Sequence, residues 1–379
     1  MANNKDFILK NAVEVGGPTK VTLGSITSSD IDLATGNYFS DTLTANTTYT
    51  ISDAGDVQAF QLEVTGGVSA YNIANANYDS VSFSVASQDT SPRGIAFSVD
   101  GTKMYIVGGL TDTIYQYTLS TAYDLSTASY NSVSLSVSSQ DTDPYSLAFN
   151  NDGTKLYMVG FSTNSVHQYS LSTGFVLSTA SYDSVSFSVA SQDTLPLDIA
   201  FNNDGTKMYM AGNSSDTVYQ YSLSTAFDLS TASYGSVSFS VASQDATPFT
   251  VAFNSDGTKV YILGFSNDSV FQYSLSTAFD LSTTSYDSVS FSVTSQDAIP
   301  TAISFNNYGT KMYMVGLGND TVYQYSTATE ATLTWPTSIE WAGGVALAAP
   351  ANGETDVFTI TTDDGGTSYV GVKTADNLS

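Results

Sequence analysis

The sequence predicts an all-β protein: a five-bladed β-propeller of 52-residue repeats, inserted into a small β-sandwich-like domain. Three features point to it. Tyr78, Tyr130, Tyr182, Tyr234 and Tyr286 each open a copy of one unit at a constant spacing. Each copy holds four strand-like segments. The last copy stops near Ser326 without an outer strand to follow it, while a spare strand at 81–85 precedes the first.

In the third copy the segment 185–189 alternates apolar residues with serine, as a half-buried outer strand does. Residues 199–201 form a short strand that ends in the Asp204-Gly205 turn. Residues 207–211 are an almost continuous apolar run, expected of a strand covered on both faces, and 218–222 alternate again. Four strands cannot bury their faces alone, so the copies must stack. Pairing strand 81–85 with the last copy closes a circle and removes both exposed edges.

Composition sets limits on function. The 379 residues suffice for two or three domains, and 36 acidic against 10 basic residues give a net charge of −26. Such a surface repels phosphate backbones and anionic headgroups, so nucleic acid is not expected as a partner. No apolar stretch reaches a membrane span, so no membrane insertion is expected. Without cysteine, disulfides and thiolate metal sites are excluded. The N-terminal stretch is too polar for a signal peptide, which suggests delivery by assembly or lysis.

The flanks read as one β-domain cut in two, residues 36–67 and 327–379, with the propeller at 68–326 between them. Strands are expected at 38–44, 47–52, 57–64, 331–335, 356–362 and 367–373, with 58–64 and 331–335 as neighbours. Residues 1–35, with Gly16-Gly-Pro18, read as a β-rich segment for docking or oligomerisation.

Two resemblances follow from particular phrases. Pro196-Leu-Asp-Ile-Ala-Phe-Asn-Asn-Asp-Gly-Thr-Lys-Met-Tyr209 resembles the blades of the YVTN and related surface-layer propellers. Thr42-Leu-Thr-Ala-Asn-Thr-Thr-Tyr-Thr-Ile51, Thr332-Leu-Thr-Trp-Pro336 and Thr361-Thr-Asp-Asp-Gly-Gly-Thr-Ser-Tyr369 resemble a small β-domain of tailed-bacteriophage fibre and virion proteins. The second resemblance implies a non-enzymatic virion component, a fibre or capsid decoration protein located in the virion. It would be a homotrimer, contacting other virion proteins through residues 1–67 and 327–379. Its propeller would face a host-surface glycan or receptor. A polysaccharide-degrading virion enzyme and a purely structural cement protein are the alternatives.

Candidate chemistry is sparse. The only histidine, His167, aligns with Tyr115, Tyr219, Phe271 and Tyr323, which marks a packing slot rather than a triad. The Ser-Gln-Asp aspartates Asp89, Asp141, Asp193, Asp245 and Asp297 either form a ring for cations or hydroxyl-rich ligands, or bond backbone amides in tight connections, the favoured reading. Lys103, Lys155, Lys207, Lys259 and Lys311 follow hairpin turns and suit local ion pairs. No cofactor motif and no metal spacing is present; Asp363-Asp364 matches no calcium loop.

The copies differ most in the loops after Ser-Gln-Asp and after the Lys strand, which share one face of the ring, the top. The chain enters and leaves at the other face, so the host domain is expected there. Tyr145, Phe161, Phe249 and Phe265, with Asn213, Asn267 and the five aspartates, are therefore the expected ligand-binding residues of the top face.

Overall fold

Residues 70–329 are organised by strands that cannot stand alone. The strand Lys207–Gly212 is buried at every position after its lysine, and Lys103–Gly108, Lys155–Gly160, Lys259–Gly264 and Lys311–Gly316 match it. An apolar strand buried on both faces needs a sheet on each side of it. The computed structural model, which describes residues 22–55, 58–342 and 344–376, supplies them. It is an all-β structure with repeated four-stranded antiparallel sheets, propeller-like in arrangement. The chain divides into two compact units, Ala70–Thr329 and a second made from both flanks, up to Ser69 and from Glu330.

In the first unit every sheet runs outward from its innermost strand. The first contains Pro92–Phe97, Lys103–Gly108, Thr113–Leu119 and Ala128–Ser136. The outermost strands alternate exposed and half-buried residues, as their serine alternation predicts. Five such sheets occur among the described residues. In the fifth, Thr321–Ser326 pairs with Asn77–Ser84, Val322 opposite Phe83 and Gln324 opposite Val81. The spare strand therefore completes the last sheet, as ring closure requires. The innermost strands neighbour one another in cyclic order, from Pro92–Phe97 through Pro144–Phe149, Pro196–Phe201, Pro248–Phe253 and Pro300–Phe305 back to the first.

Neighbouring sheets are fastened by repeated polar latches. The Tyr105 hydroxyl donates to the Phe175 carbonyl (2.6 Å), Tyr209 to Phe279 (2.6 Å), and Tyr261 to Tyr71 (2.9 Å). Gln168 Oε1 accepts from Leu229 N (2.9 Å), and Gln324 Oε1 from Leu125 N (2.9 Å). Between them sit aromatic pairs such as Tyr209 and Phe253, with ring centroids 4.4 Å apart. The Asp204-Gly205 turn needs its glycine twice over. Its φ is +71°, and a Cβ would lie 2.2 Å from the Phe227 ring.

The second unit holds a five-stranded sheet in the order Tyr38–Thr42, Gln58–Thr65, Thr355–Thr362, Tyr369–Ala375, Ile339–Trp341. Phe39, Phe60, Leu62, Val64, Trp335, Trp341, Phe358 and Ile360 form its core. One expected pairing is corrected. Gln58–Thr65 lies beside Thr355–Thr362 and Tyr38–Thr42, whereas Leu333–Thr334 pairs with Thr47–Thr48. The eight matched residues of the long strands bury Phe60, Leu62, Phe358 and Ile360 together, which a two-residue strand cannot do. Of the N-terminal segment, Ile26–Thr27 and Asp30–Asp32 join a sheet with Thr50–Ser52, while Gly16-Gly-Pro18 lies outside the described residues. Among the described residues no helix is long and apolar enough to cross a membrane.

Leu125, Leu177, Leu229 and Leu281 plug the connections between sheets and are buried. Leu229→Ala should lower the unfolding free energy by about 2–5 kcal/mol. Leu125→Ala should give a similar loss in urea titrations, because the two sites repeat the same contacts.

Candidate functional site

The innermost strands begin with proline, whose missing N–H suits a sheet edge. In four of them the residue after proline is skipped by the ladder, as in the register shift between Pro196 and Asp198, and in Pro92–Phe97 both Arg93 and Gly94 are. A bulge of this kind re-aims side chains. It gives two successive positions around the ring. The first carries Arg93, Tyr145, Leu197, Phe249 and Thr301, and the second Gly94, Ser146, Asp198, Thr250 and Ala302.

The second position holds the chemistry. Asp198 is the only acid in it and is 6 % exposed. One of its oxygens accepts from the Ser146 hydroxyl, and Oδ2 accepts from Val251 N at 2.8 Å. Thr250 Oγ1 likewise accepts from Ile303 N at 3.3 Å. Each of these side chains satisfies a backbone donor on the edge of the next sheet. Burial pushes the Asp198 carboxyl up to about 7, against the lowering effect of its hydrogen bonds.

Asp198 also lines a cavity of about 360 Å³ built from all five innermost strands. Ile95, Leu147, Ile199, Val251 and Ile303 give it apolar walls, and Asn203, Asn254 and Asn307 add amides. The site thus combines a protonatable carboxyl, a hydroxyl bonded to it, and a cavity of mixed polar and apolar lining beside the carboxyl.

The residues expected from sequence divide into two groups. Tyr145, Phe161, Phe249 and Phe265 are brought together. Tyr145 lies 6.0 Å from Phe161 and 6.4 Å from Phe249, and Phe249 stacks on Phe265 at 5.1 Å. The Arg93 guanidinium covers Tyr145 at 4.1 Å and pairs with Asp143. All four rings are half-buried rather than exposed. Asn213 is half-buried, its N–H bonded to the Leu195 carbonyl, and exposed Asn267 donates to the Gln244 carbonyl at 2.8 Å.

The five aspartates are buried and separately engaged. Asp141 accepts from Asp143 N (2.7 Å), Ser162 N (3.3 Å), Thr163 N (2.8 Å) and Thr163 Oγ1 (2.6 Å). Asp89, Asp193, Asp245 and Asp297 stitch the same two loops in their own sheets. These carboxylates serve backbone amides, the second of the two readings left open. His167 is buried beside Tyr182, its Nε2 3.0 Å from Thr163 Oγ1, and burial lowers its pKa. Among the described residues no three His, Cys, Asp or Glu side chains could hold a metal together.

Asp198 and Ser146 were not singled out from sequence. A signal existed: in the column Gly94, Ser146, Asp198, Thr250, Ala302, which lies between a proline and an apolar-Ala/Ser-Phe run common to all five copies, Asp198 is the one acid.

Residues 65–227 match a family described as "Lactonase, 7-bladed beta-propeller". No curated protein matches the sequence. Among solved structures, the chain is 13% identical to a putative 6-phosphogluconolactonase from Bacteroides uniformis (76% of this chain, 71% of that one, TM-score 0.40). It is 14% identical to another from Bacteroides fragilis, with the same coverage and TM-score. A functionally unknown protein from Desulfotomaculum acetoxidans is 15% identical over 59% of this chain, which spans 65% of that protein's length (TM-score 0.40). Structural likeness at this level carries no argument of its own. The expectations of a tailed-phage virion protein, of a virion location and of a non-enzymatic role are corrected by the family match, which over residues 65–227 is to a lactonase model. The phage-like phrases are short and rich in Thr, with aromatic and apolar residues at strand positions and Asp-Gly at a turn, which strand and turn chemistry calls for in unrelated β-proteins. The matched family is also described as seven-bladed, against the five blades expected.

The raised Asp198 carboxyl makes stability depend on pH in a definite direction. Between the ordinary carboxylate range and about 7 the folded protein holds a proton that the unfolded chain has released. Stability therefore falls as pH rises through that window. From pH 4 to 8 Asp198→Asn should remove roughly 3–4 kcal/mol of the wild-type decline, read from urea midpoints at each pH.

Proposed function

We propose that the protein is a hydrolase of lactone-type substrates that works on the propeller axis with Asp198 as general base. The observation that carries this reading is Asp198 itself: a buried carboxyl with its pKa near neutrality, lining a cavity in which the repeat otherwise places neutral residues. A base is most effective when its pKa lies near the working pH. The match of residues 65–227 to a lactonase family supports the reaction class.

In the proposed reaction the Asp198 carboxylate takes a proton from water as its oxygen attacks the lactone carbonyl. The ring C–O bond then breaks, and Asp198 returns the proton to the departing alkoxide. The product is a hydroxy acid. The Ser146 hydroxyl, bonded to Asp198, holds the carboxylate in one orientation. A cavity of about 360 Å³ suits a small cyclic ester. The free edges of the innermost strands offer N–H groups for the oxyanion and carbonyls for substrate hydroxyls.

The proposal includes two structural parts. The five sheets are taken as a whole five-bladed propeller, supported by the cyclic order of the innermost strands and the pairing of Asn77–Ser84 with Thr321–Ser326. That propeller is taken as an insertion into the sandwich-like domain formed by the flanks, supported by the pairing of Gln58–Thr65 with Thr355–Thr362. Tyr145, Phe161, Phe249 and Phe265 are proposed to cap the proline end of the axis, which leaves the other end for substrate.

Hydrolysis of aldonolactones and simple γ- and δ-lactones, followed in a pH-stat, tests this. kcat/KM should rise through an ionisation near 7, and Asp198→Asn should lower it about 10²–10⁴-fold. Turnover of none of these lactones, or an undiminished rate in the variant, overturns the proposal.

A further inference from the structure

Three sheets place a carboxylate in the same nest of donors. In the second, Asp183 Oδ2 accepts from Lys155 Nζ (2.8 Å) and Gln168 Nε2 (2.8 Å), and the same lysine donates to Ser170 Oγ (2.8 Å). In the fourth, Asp287 Oδ2 accepts from Lys259 Nζ (2.7 Å) and Gln272 Nε2 (2.8 Å), and Oδ1 from Ser274 Oγ (2.5 Å). In the fifth, Asp79 takes the same three bonds from Lys311 (2.6 Å), Gln324 (2.9 Å) and Ser326 (2.6 Å). Burial pushes these carboxyls up, but the lysine, serine and glutamine bonds outweigh it and hold all three below the usual range.

The third sheet keeps every donor, Lys207, Gln220 and Ser222, and replaces the aspartate with Gly235. A Cβ on Gly235 would meet nothing within 4 Å. Gln220 Oε1 still accepts from Leu281 N (3.0 Å), so its amide keeps the orientation of its counterparts. Lys207 turns instead to the Phe279 carbonyl at 2.8 Å. The first sheet differs: Asn131 stands in the aspartate's place and donates to Thr118 Oγ1 at 3.0 Å.

We propose that the Lys207, Gln220 and Ser222 nest of the third sheet is a binding site for a small free carboxylate, which takes the place of the missing aspartate side chain. Its chemistry is given by the sister sheets: one oxygen receives the ammonium and the amide, the other the hydroxyl. Charge-assisted bonds of this kind are stronger than neutral ones. Nearby Asp204 and Asp280 do not forbid an anion, because the second sheet holds Asp183 with Asp152 and Asp228 in the corresponding places. The site is distinct from the axial cavity and independent of the hydrolase reading.

The test uses ¹³C-acetate titrated by NMR into the full chain, exchanged against chloride at constant ionic strength so that the protein's net charge is screened equally. Wild type should bind acetate, and Gly235→Ala should bind it equally well. Gly235→Asp and Lys207→Met should bind at least about tenfold more weakly. Gly235→Asp should also raise Tm by roughly 2–4 °C, as an internal ligand would. Equal acetate binding by wild type and Gly235→Asp, or a loss in Gly235→Ala as large as in Gly235→Asp, overturns the assignment.

Discussion

The lysine-to-glycine strands, buried on both faces from Met104 to Val107 and at the matching places of the other sheets, set the terms for residues 70–329. A strand covered on both sides forces each sheet to lie between two others. An open row would leave two such faces in water, so a spare outer strand at one end and a missing one at the other make ring closure the favourable solution. Stacking then brings five innermost strands to one axis. Each has a sheet partner on one side only, so N–H and C=O groups face the axis without a ladder. Proline removes one of these donors in each strand. Asp198 and Thr250 satisfy others by reaching across to Val251 N and Ile303 N. The candidate site is thus a by-product of how a ring manages its inner edges.

What could be read in the sequence follows from where the information lies. Alternation and the Asp-Gly turns are local signals, so the four strands of each sheet were legible, although the outermost and innermost begin earlier (Ala180 and Pro196 in the third copy) than the expected 185 and 199. The pairing of the spare strand with the last copy was legible because it depends only on counting strands. The flanking unit was harder. The pairing of Phe60 with Ile360 spans the whole of residues 70–329, and nothing local to 58–65 distinguishes 355–362 from 331–335 as its partner. Alternation gives the face of a strand but not its neighbour.

Asp198 was hidden for a related reason. Its direction depends on the bulge that follows Pro196, which is a property of the paired ladder rather than of the sequence nearby. The Ser-Gln-Asp aspartates drew attention because they recur. Recurrence marks architecture: Asp193 meets the same loop amides in its sheet as Asp141 does in its own. Residues that break the repeat carry the opposite meaning. Asp198 adds an acid where the other copies are neutral, and Gly235 removes one where three copies keep it.

Asp193 and Asp198 show why the distinction is physical rather than statistical. They stand five residues apart and are buried to a similar degree. Asp193 accepts from Leu195 N (2.7 Å), Ser214 N (3.2 Å), Ser215 N (3.0 Å) and Ser215 Oγ (2.6 Å). Its oxygens are committed to the loops, and a substrate could reach them only by breaking those bonds. Asp198 has the Ser146 hydroxyl and the Val251 and Ile199 amides, and one side of it borders a cavity. Too few donors surround it to offset its burial, and a proton makes up the difference near neutral pH. A carboxyl that must gain or lose a proton at the pH of its surroundings, next to space for a ligand, is able to move one. Similar burial therefore leaves the two carboxyls in different settings, one enclosed by loop donors and the other bordering a cavity.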